Sequence, residues 1–234
     1  MAGANAIAGG GLHREPMQLA LALDHAESHA REDFLEGPSN AAALALIERW
    51  PDWPSRIVLL RGPEGSGKTH LAAIWARQAG ARILSPRMLD SSEVPIALAT
   101  GALVLDNLAE GGFDEAALFH LLNLAREERA YVLITVRTAP AGWRIGTADL
   151  ASRFRALPVV ALDAPDDALL RAVIVKLFAD RQLAVDESLV SFLATRIERS
   201  FAAAKAAVAK LDREALRLKR PVNRALAGEL FREP

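Results

Sequence analysis

One stretch constrains the fold of this chain more than any other: residues 56–78, which read RIVLLRGPEGSGKTHLAAIWARQ. Its apolar run at 57–60 is short enough for a buried strand, and apolar residues return at helical spacing from Leu71 onward. Between them, GPEGSGKT fits the pattern G-x-x-x-x-G-K-[ST] at every fixed position. A strand, a glycine-rich loop and a helix in that order are the context that a phosphate-binding loop requires. The alternative is a glycine-rich turn without a ligand, which the agreement of motif and context disfavours.

The residue types in this loop suit a nucleotide phosphate. Glycines let the backbone come close to a phosphate and turn its N–H groups inward, and the helix N-terminus adds partial positive charge. Lys68 is expected to reach the β- and γ-phosphates, and the Thr69 hydroxyl is expected to hold Mg²⁺. The predicted cofactor is therefore ADP or ATP with Mg²⁺. The loop residues predicted to bind it are Gly62, Pro63, Glu64, Gly65, Ser66, Gly67, Lys68, Thr69 and His70.

A second nucleotide signal follows about forty residues later, where the apolar run LVL ends in Asp106 and Asn107. An acid at the carboxyl end of a buried parallel strand lies at the rim where such sheets bind ligands. We expect Asp106 to share the Mg²⁺ held by Thr69. Without the preceding loop, an acid in this position would mark only the end of a strand.

Composition excludes several classes of protein. The 234 residues carry 28 basic and 29 acidic side chains, so no global basic excess indicates nucleic acid or an anionic membrane as partner. The chain has no cysteine, which excludes disulfides and thiol catalysis. No apolar run is long enough to span a bilayer, and the N-terminus lacks the features of a signal peptide. We expect a cytoplasmic protein.

Periodicity predicts alternating strands and helices followed by helices alone. Strands are expected near 57–60, 81–84, 102–106, 131–136 and 157–162. Helices are expected at 41–50, 113–129 and 148–154, and after residue 165 at 166–181, 186–197, 200–219 and 221–231. This pattern indicates an α/β fold with a parallel sheet and a small all-helical lid. The expected parts are a flexible segment at 1–33, a nucleotide-binding domain at 34–163 and a lid domain at 164–234.

Together these features resemble the AAA+ ATPases, within them the DnaA branch, and most of all the Hda group of DnaA-related regulatory inactivators. The resemblance rests on FLEGPSN before the first helix, on GPEGSGKTH, VLDN, LITVR and DLASRF, and on RIERSF followed by KLDREAL. It covers roughly residues 18–231. It implies a P-loop domain with a five-stranded parallel sheet, followed by the helical lid.

Carried over by position, the resemblance implies roles for residues outside the two motifs. Thr135 falls at the sensor 1 region, Arg153 at the arginine finger that acts in trans, and Arg199 at the sensor 2 arginine of the lid. Each arginine offers a planar fork of donors suited to phosphate, and the alternative is a surface arginine in a weak ion pair. The segment that resembles the adenine enclosure contributes Phe34, Leu35, Gly37 and Asn40.

Two departures from the family pattern bear on hydrolysis. Many AAA+ members have a second acid after the Asp of the third strand, whereas this chain has Asn107. An amide orients water but does not accept its proton at neutral pH. Arg137 stands where DnaA relatives tend to have Asp. We therefore expect slow intrinsic turnover, with Asn107 and Thr135 as the remaining catalytic candidates.

A third signal lies near the N-terminus, where residues 18–23 read QLALAL. The segment resembles the short peptide that docks on the bacterial DNA polymerase III sliding clamp. Gln18 would bond at the rim of the clamp pocket, with Leu19, Leu21 and Leu23 as the accompanying apolar residues. The alternative is an N-terminal strand or staple packed on its own domain.

The resemblance favours a negative regulator of replication initiation, which binds the clamp and presents Arg153 to ATP held by DnaA. The first alternative is a self-contained AAA+ ATPase that acts as a DnaA-like initiator or helicase loader. The second is a scaffold that uses nucleotide only for folding. The DNA-binding domain that follows the lid in DnaA is absent before Pro234, so no sequence-specific DNA binding is expected. No membrane partner is expected, and homo-oligomerisation stays open.

Overall fold

The computed structural model describes residues 29–231, and its centre is one five-stranded sheet in which every strand pair is parallel. The strand order is β2-β3-β4-β1-β5. The predicted five-stranded parallel sheet is thus confirmed. The strands are β1 (Ile57–Arg61), β2 (Arg82–Leu84), β3 (Ala102–Leu108), β4 (Tyr131–Val136) and β5 (Val159–Ala161).

Helices cover both faces of the sheet, which explains why the central strands are apolar throughout. The helices that alternate with strands are α1 (Ala41–Glu48), α2 (Lys68–Ala79), α3 (Val94–Leu98), α4 (Glu115–Glu127) and α5 (Ala148–Arg155). Because side chains alternate along a strand, β1 contributes to two cores. Ile57 and Leu59 pack with residues of α3, α4 and α5, whereas Val58 and Leu60 pack with those of α1 and α2.

The helices that follow residue 164 have a core of their own, formed by apolar residues of all four. Each helix is preceded by a capping residue whose side chain accepts a hydrogen bond from a backbone N–H of the first turn. This N–H has no acceptor within the helix itself. The division into domains at residue 164 stays a prediction. The helices are α6 (Asp167–Ala179), α7 (Glu187–Arg196), α8 (Phe201–Leu218) and α9 (Arg224–Leu230), and their caps are Asp166, Asp186, Ser200 and Asn223.

Several predicted boundaries are wrong by a few residues. The first helix ends at Glu48 instead of residue 50, and the fifth strand is limited to Val159–Ala161. The last helix begins after the Asn223 cap, because Pro221 and Val222 precede it outside the helix. No helix among residues 29–231 is both long and apolar enough to cross a membrane.

The third strand shows an irregularity that the sequence did not predict. It was expected to end at Asp106, yet it continues to Leu108 through Asn107, whose φ is +63°. Leu105 pairs with Ile134 and Leu108 with Val136, so the ladder with β4 shifts register between them. Asn tolerates this left-handed backbone better than most residues. The shift leaves Asn107 exposed directly beside Asp106.

Candidate nucleotide-binding site

A cleft of about 540 Å³ lies where the P-loop, the segment before α1 and the helices α6 and α8 meet. Its position at the carboxyl end of a parallel sheet is where such folds bind ligands. Of the predicted site residues, the structure brings Phe34, Leu35, Gly65, Gly67, Lys68, Thr69 and His70 to this cleft. The other lining residues are His29, Asp33, Val173, Lys176, Leu177, Asp180, Arg181, Phe201, Ala202 and Lys205.

The P-loop has the backbone that a phosphate cradle needs. Gly65 and Gly67 have φ values of +70° and +96°, a region that residues with a Cβ rarely adopt, and α2 begins immediately after them at Lys68. Ser66 Oγ is buried and makes no hydrogen bond within the described part of the chain. A buried donor without a partner is costly unless a ligand satisfies it. The loop therefore fits a bound phosphate.

Lys68 is turned back onto its own loop. Its Nζ donates to the carbonyl oxygens of Gly62 at 2.8 Å and Pro63 at 2.7 Å. Burial lowers the pKa of Lys68, and the positive charge of Arg137 lowers it further, whereas Asp106 and Glu64 oppose the shift. The two carbonyl oxygens hold the ammonium at the loop. A phosphate oxygen bound there would replace one of these two acceptors.

Two hydroxyls hold the carboxylate of Asp106. Thr69 Oγ1 donates to its Oδ2 at 3.0 Å, and Thr135 Oγ1 donates to its Oδ1 at 2.6 Å. Thr135 is fully buried and also accepts the backbone N–H of Asn107 at 2.7 Å. Mg²⁺ is usually bound by one or two protein oxygens together with waters and phosphates. Thr69 and Asp106 form a donor set of that kind, with Thr135 positioning the carboxylate.

The segment predicted to enclose the adenine divides into residues that line the cleft and residues that shape the turn. Phe34 and Leu35 line it. Asn40 is buried, accepts the Gly37 N–H at 2.9 Å and donates to the Leu35 carbonyl at 3.0 Å. A Cβ on Gly37 would lie 2.9 Å from Leu169 of α6. Gly37 and Asn40 therefore fix the path of Phe34 and Leu35 and lie outside the cleft lining.

His70 joins this segment to the P-loop helix. Its Nε2 lies 3.0 Å from the carbonyl oxygen of Ala30, and its ring meets those of His29 and Phe34 edge-on. Burial lowers the pKa of His70, which favours the neutral ring. The segment before α1 is thus attached directly to the first turn of α2.

The lid contributes cations that the sequence did not single out. Arg199, which precedes the cap of α8, is exposed and does not line the cleft. Lys205 of α8 and Lys176 of α6 line the cleft instead. Lys176 forms ion pairs with Asp33 at 2.7 Å and Asp180 at 2.8 Å. The only sequence signal for these cleft lysines was helical spacing, such as the four-residue spacing of Phe201 and Lys205. The same spacing occurs on any ordinary helix face.

The architecture matches solved structures of two kinds of AAA+ protein. Domain III of Thermotoga maritima DnaA superimposes with a TM-score of 0.70 at 20% identity, over 88% of this chain and 98% of that one. AMPPCP-bound DnaA from Aquifex aeolicus superimposes with a TM-score of 0.63 at 17% identity, over 80% of this chain and 65% of that one. The Thermotoga maritima RuvB branch migration motor superimposes with a TM-score of 0.64 at 21% identity, over 80% of this chain and 64% of that one. This chain has the AAA+ fold. No protein-family model and no curated protein matches the sequence significantly.

Arg153, the predicted finger of this AAA+ fold, does not line the cleft. Its Nη1 donates to Asn123 Oδ1 at 2.6 Å, and its Nε lies 3.2 Å from both carboxylate oxygens of Asp149. The guanidinium carbon lies 5.1 Å from the centre of the Phe119 ring. The contacts with Asn123 and Phe119 hold the side chain against α4.

Proposed function

We propose that this protein binds an adenine nucleotide with Mg²⁺ in the cleft between the P-loop and the lid. Lys68, the loop amides and Ser66 would hold the phosphates, and Thr69 and Asp106 would hold Mg²⁺. Phe34 and Leu35 would cover the base. The AMPPCP bound to Aquifex aeolicus DnaA supports this, because that protein shares the fold. Calorimetry should detect ADP binding that Lys68→Ala abolishes, and unchanged affinity in the variant would exclude the site.

We further propose that the protein is a regulator of replication initiation of the Hda type, which acts on ATP held by DnaA. One observation carries this proposal: Arg153 lies outside its own cleft and is held in place by Asn123 and Asp149. In this proposal Arg153 serves a neighbouring subunit, through a head-to-tail contact between like domains. Asn107, which offers no base beside Asp106, favours a role in which the hydrolysed ATP belongs to the partner.

The proposal includes docking on the sliding clamp through Gln18, Leu19, Leu21 and Leu23. These residues lie outside the described part of the chain, so support comes from the sequence alone. Replacement of Gln18, Leu21 and Leu23 by Ala should abolish clamp binding and leave nucleotide affinity intact. A triple variant that still retains the clamp would show that another segment binds it.

The decisive experiment follows DnaA-bound ATP as it is converted to ADP, with clamp loaded on DNA. The parent protein should accelerate conversion, and Arg153→Ala should lose this acceleration by about a hundredfold or more. Arg155→Ala is the matched control, since Arg155 is an exposed arginine of the same helix that donates to the Ala151 carbonyl of its own helix. Equal acceleration by Arg153→Ala and the parent would exclude the finger.

A second candidate, a self-contained AAA+ ATPase, is favoured by the intact arrangement of Thr69, Asp106 and Thr135. Steady-state turnover of the purified protein separates the two candidates. Turnover that is fast without DnaA, and that does not depend on it, would favour the ATPase. Slow turnover alone, with rapid loss of DnaA-bound ATP in the mixture, would favour the regulator.

A further inference from the structure

An ion pair joins the P-loop to the end of β4. Arg137 Nη1 lies 2.6 Å from Glu64 Oε2, and the two side chains are 50% and 70% exposed. Glu64 occupies one of the unspecified positions (x) of the G-x-x-x-x-G-K-[ST] pattern, and Arg137 is the first residue after β4. Neither side chain lines the cleft. The pair is therefore a contact between the two backbone segments that border the phosphate end of the site.

The backbone holds these two segments side by side. Arg61 pairs with Val136 across β1 and β4, and the Gly62 N–H donates to the Val136 carbonyl at 3.1 Å. The loop thus leaves the sheet directly beside Arg137. Glu64 and Arg137 are also close enough to Lys68 to shift its proton affinity in opposite directions. Both charges consequently act on the place where Lys68 would meet a phosphate.

The effect of the Arg137–Glu64 pair on nucleotide affinity depends on the number of phosphates in the nucleotide. Lys68, Ser66 and the loop amides suffice for a diphosphate, and the Arg137–Glu64 pair stays intact. A third phosphate would add negative charge at Lys68, the side chain on which the charges of Arg137 and Glu64 already act. A guanidinium binds phosphate through two parallel N–H bonds as readily as it binds a carboxylate. Glu64 and the terminal phosphate would then compete for the Arg137 guanidinium.

We infer that the Arg137–Glu64 pair sets the preference of this site between nucleoside diphosphate and triphosphate. Arg137 favours the triphosphate by binding its terminal phosphate, and Glu64 weakens that preference by holding the Arg137 guanidinium in the ion pair. The inference rests on the proposed nucleotide site and adds a specificity determinant to it. Glu64 acts here as the competitor for Arg137, which differs from its predicted role as a direct ligand of the nucleotide.

The test measures dissociation constants for ADP and for AMPPCP, both with Mg²⁺, and compares their ratio among variants. Glu64→Gln should raise AMPPCP affinity relative to ADP by about three- to fivefold, the range expected for release of an exposed ion pair. Arg137→Ala should lower AMPPCP affinity relative to ADP by about tenfold or more, because a charge-assisted bond is lost. In the double variant the gain from Glu64→Gln should vanish, because no arginine remains to be released.

Two exposed residues serve as matched controls: Arg87→Ala and Glu127→Gln remove the same charges at positions away from the loop. Their ratios should equal that of the parent. The inference is overturned if either single variant keeps the parent ratio, or if the gain from Glu64→Gln persists without Arg137. A parent protein that binds neither ligand overturns the proposed site itself, and the inference with it. Binding with an unchanged ratio overturns the inference alone.

Discussion

The backbone N–H of Phe201 donates to the carbonyl oxygen of Gly65 at 2.8 Å, so the first turn of α8 is attached to the middle of the P-loop. A Cβ on Gly65 would lie 2.9 Å from the Cβ atoms of both Ser200 and Ala202. The glycine is therefore needed twice, for its φ of +70° and for the close approach of the lid. This contact makes the loop and the lid one unit around the cleft.

Gly65→Ala should lower the free energy of unfolding and weaken nucleotide binding. The left-handed backbone alone costs about 1–3 kcal/mol for a residue with a Cβ. Gly80→Ala is the matched control, since Gly80 has a φ of +63° and a Cβ there would meet no atom within 4 Å. Both variants should lose stability in urea unfolding, but only Gly65→Ala should also lose ADP affinity. Equal ADP affinity in the two variants would contradict a role for the lid contact.

Lys205→Ala should weaken ADP binding by about tenfold, because Lys205 lines the cleft and its ammonium would bond an oxygen of the nucleotide in the proposed site. Arg199→Ala should leave ADP affinity within about twofold of the parent, as is usual for exposed side chains away from a ligand. The two variants are a matched pair, since each removes one positive charge, Lys205 within α8 and Arg199 just before its cap. Calorimetry at fixed salt measures both. A larger loss with Arg199→Ala than with Lys205→Ala would support the sensor 2 role that the resemblance implies for Arg199.

The contrast between Lys68 and Lys205 shows what the sequence could and could not predict. Lys68, Thr69 and Asp106 belong to local patterns, in which glycine backbones and the end of a strand fix the geometry within a few residues. The parallel sheet followed from periodicity in the same way. Lys205 and Lys176 reach the cleft only because α6 and α8 pack in a particular rotation against the P-loop. On a helix, such a lysine has the same spacing as any solvated residue.

The shifted register at Asn107 was not predictable for a related reason. A strand ending in Asp and a strand with a bulge after Asp have the same apolar run. Only pairing with β4 decides between them, through the bond from the Asn107 N–H to Thr135 Oγ1. The contacts of Arg153 with Asn123 and Phe119 likewise depend on how α5 packs against α4. The motif position predicted Arg153 as the finger, whereas the orientation of its side chain follows from tertiary packing.

Glu115→Gln should destabilise the loop before α5 at neutral pH. The Glu115 carboxylate accepts the N–H of Gly146 at 2.9 Å and of Thr147 at 3.1 Å. The Gly146 N–H lowers the pKa of Glu115 most, with Thr147 adding to it. A carboxyl whose pKa is lower in the folded state than in the unfolded state stabilises the fold at pH values above its unfolded-state pKa. That stabilisation is lost as the pH falls through its folded-state pKa. The parent should exceed the variant in unfolding free energy at pH 7, and the difference should shrink below about pH 4.5. A difference that is constant with pH would contradict the ionised contact.

Asn123→Ala should impair the finger without removing it. Asn123 accepts a 2.6 Å bond from Nη1 of Arg153, while Asp149 holds Nε and Phe119 lies against the guanidinium. With Asn123 gone, the guanidinium keeps its charge but loses the contact that fixes its rotation, and a misplaced catalytic group is costly. Stimulation of DnaA-bound ATP hydrolysis should fall by roughly tenfold, less than with Arg153→Ala.

The readout that separates positioning from simple destabilisation is the rate at saturating concentration of this protein. Loss of orientation lowers that maximal rate, whereas loss of folded protein or of partner affinity shifts only the concentration that gives half of it. Asn123→Asp keeps an acceptor oxygen for Nη1 and should restore most of the maximal rate. Arg153→Lys should fail like Arg153→Ala, because an ammonium cannot bond Asn123 and Asp149 while reaching a phosphate in trans. An Asn123→Ala variant with the parent's maximal rate would show that Arg153 needs no support from α4.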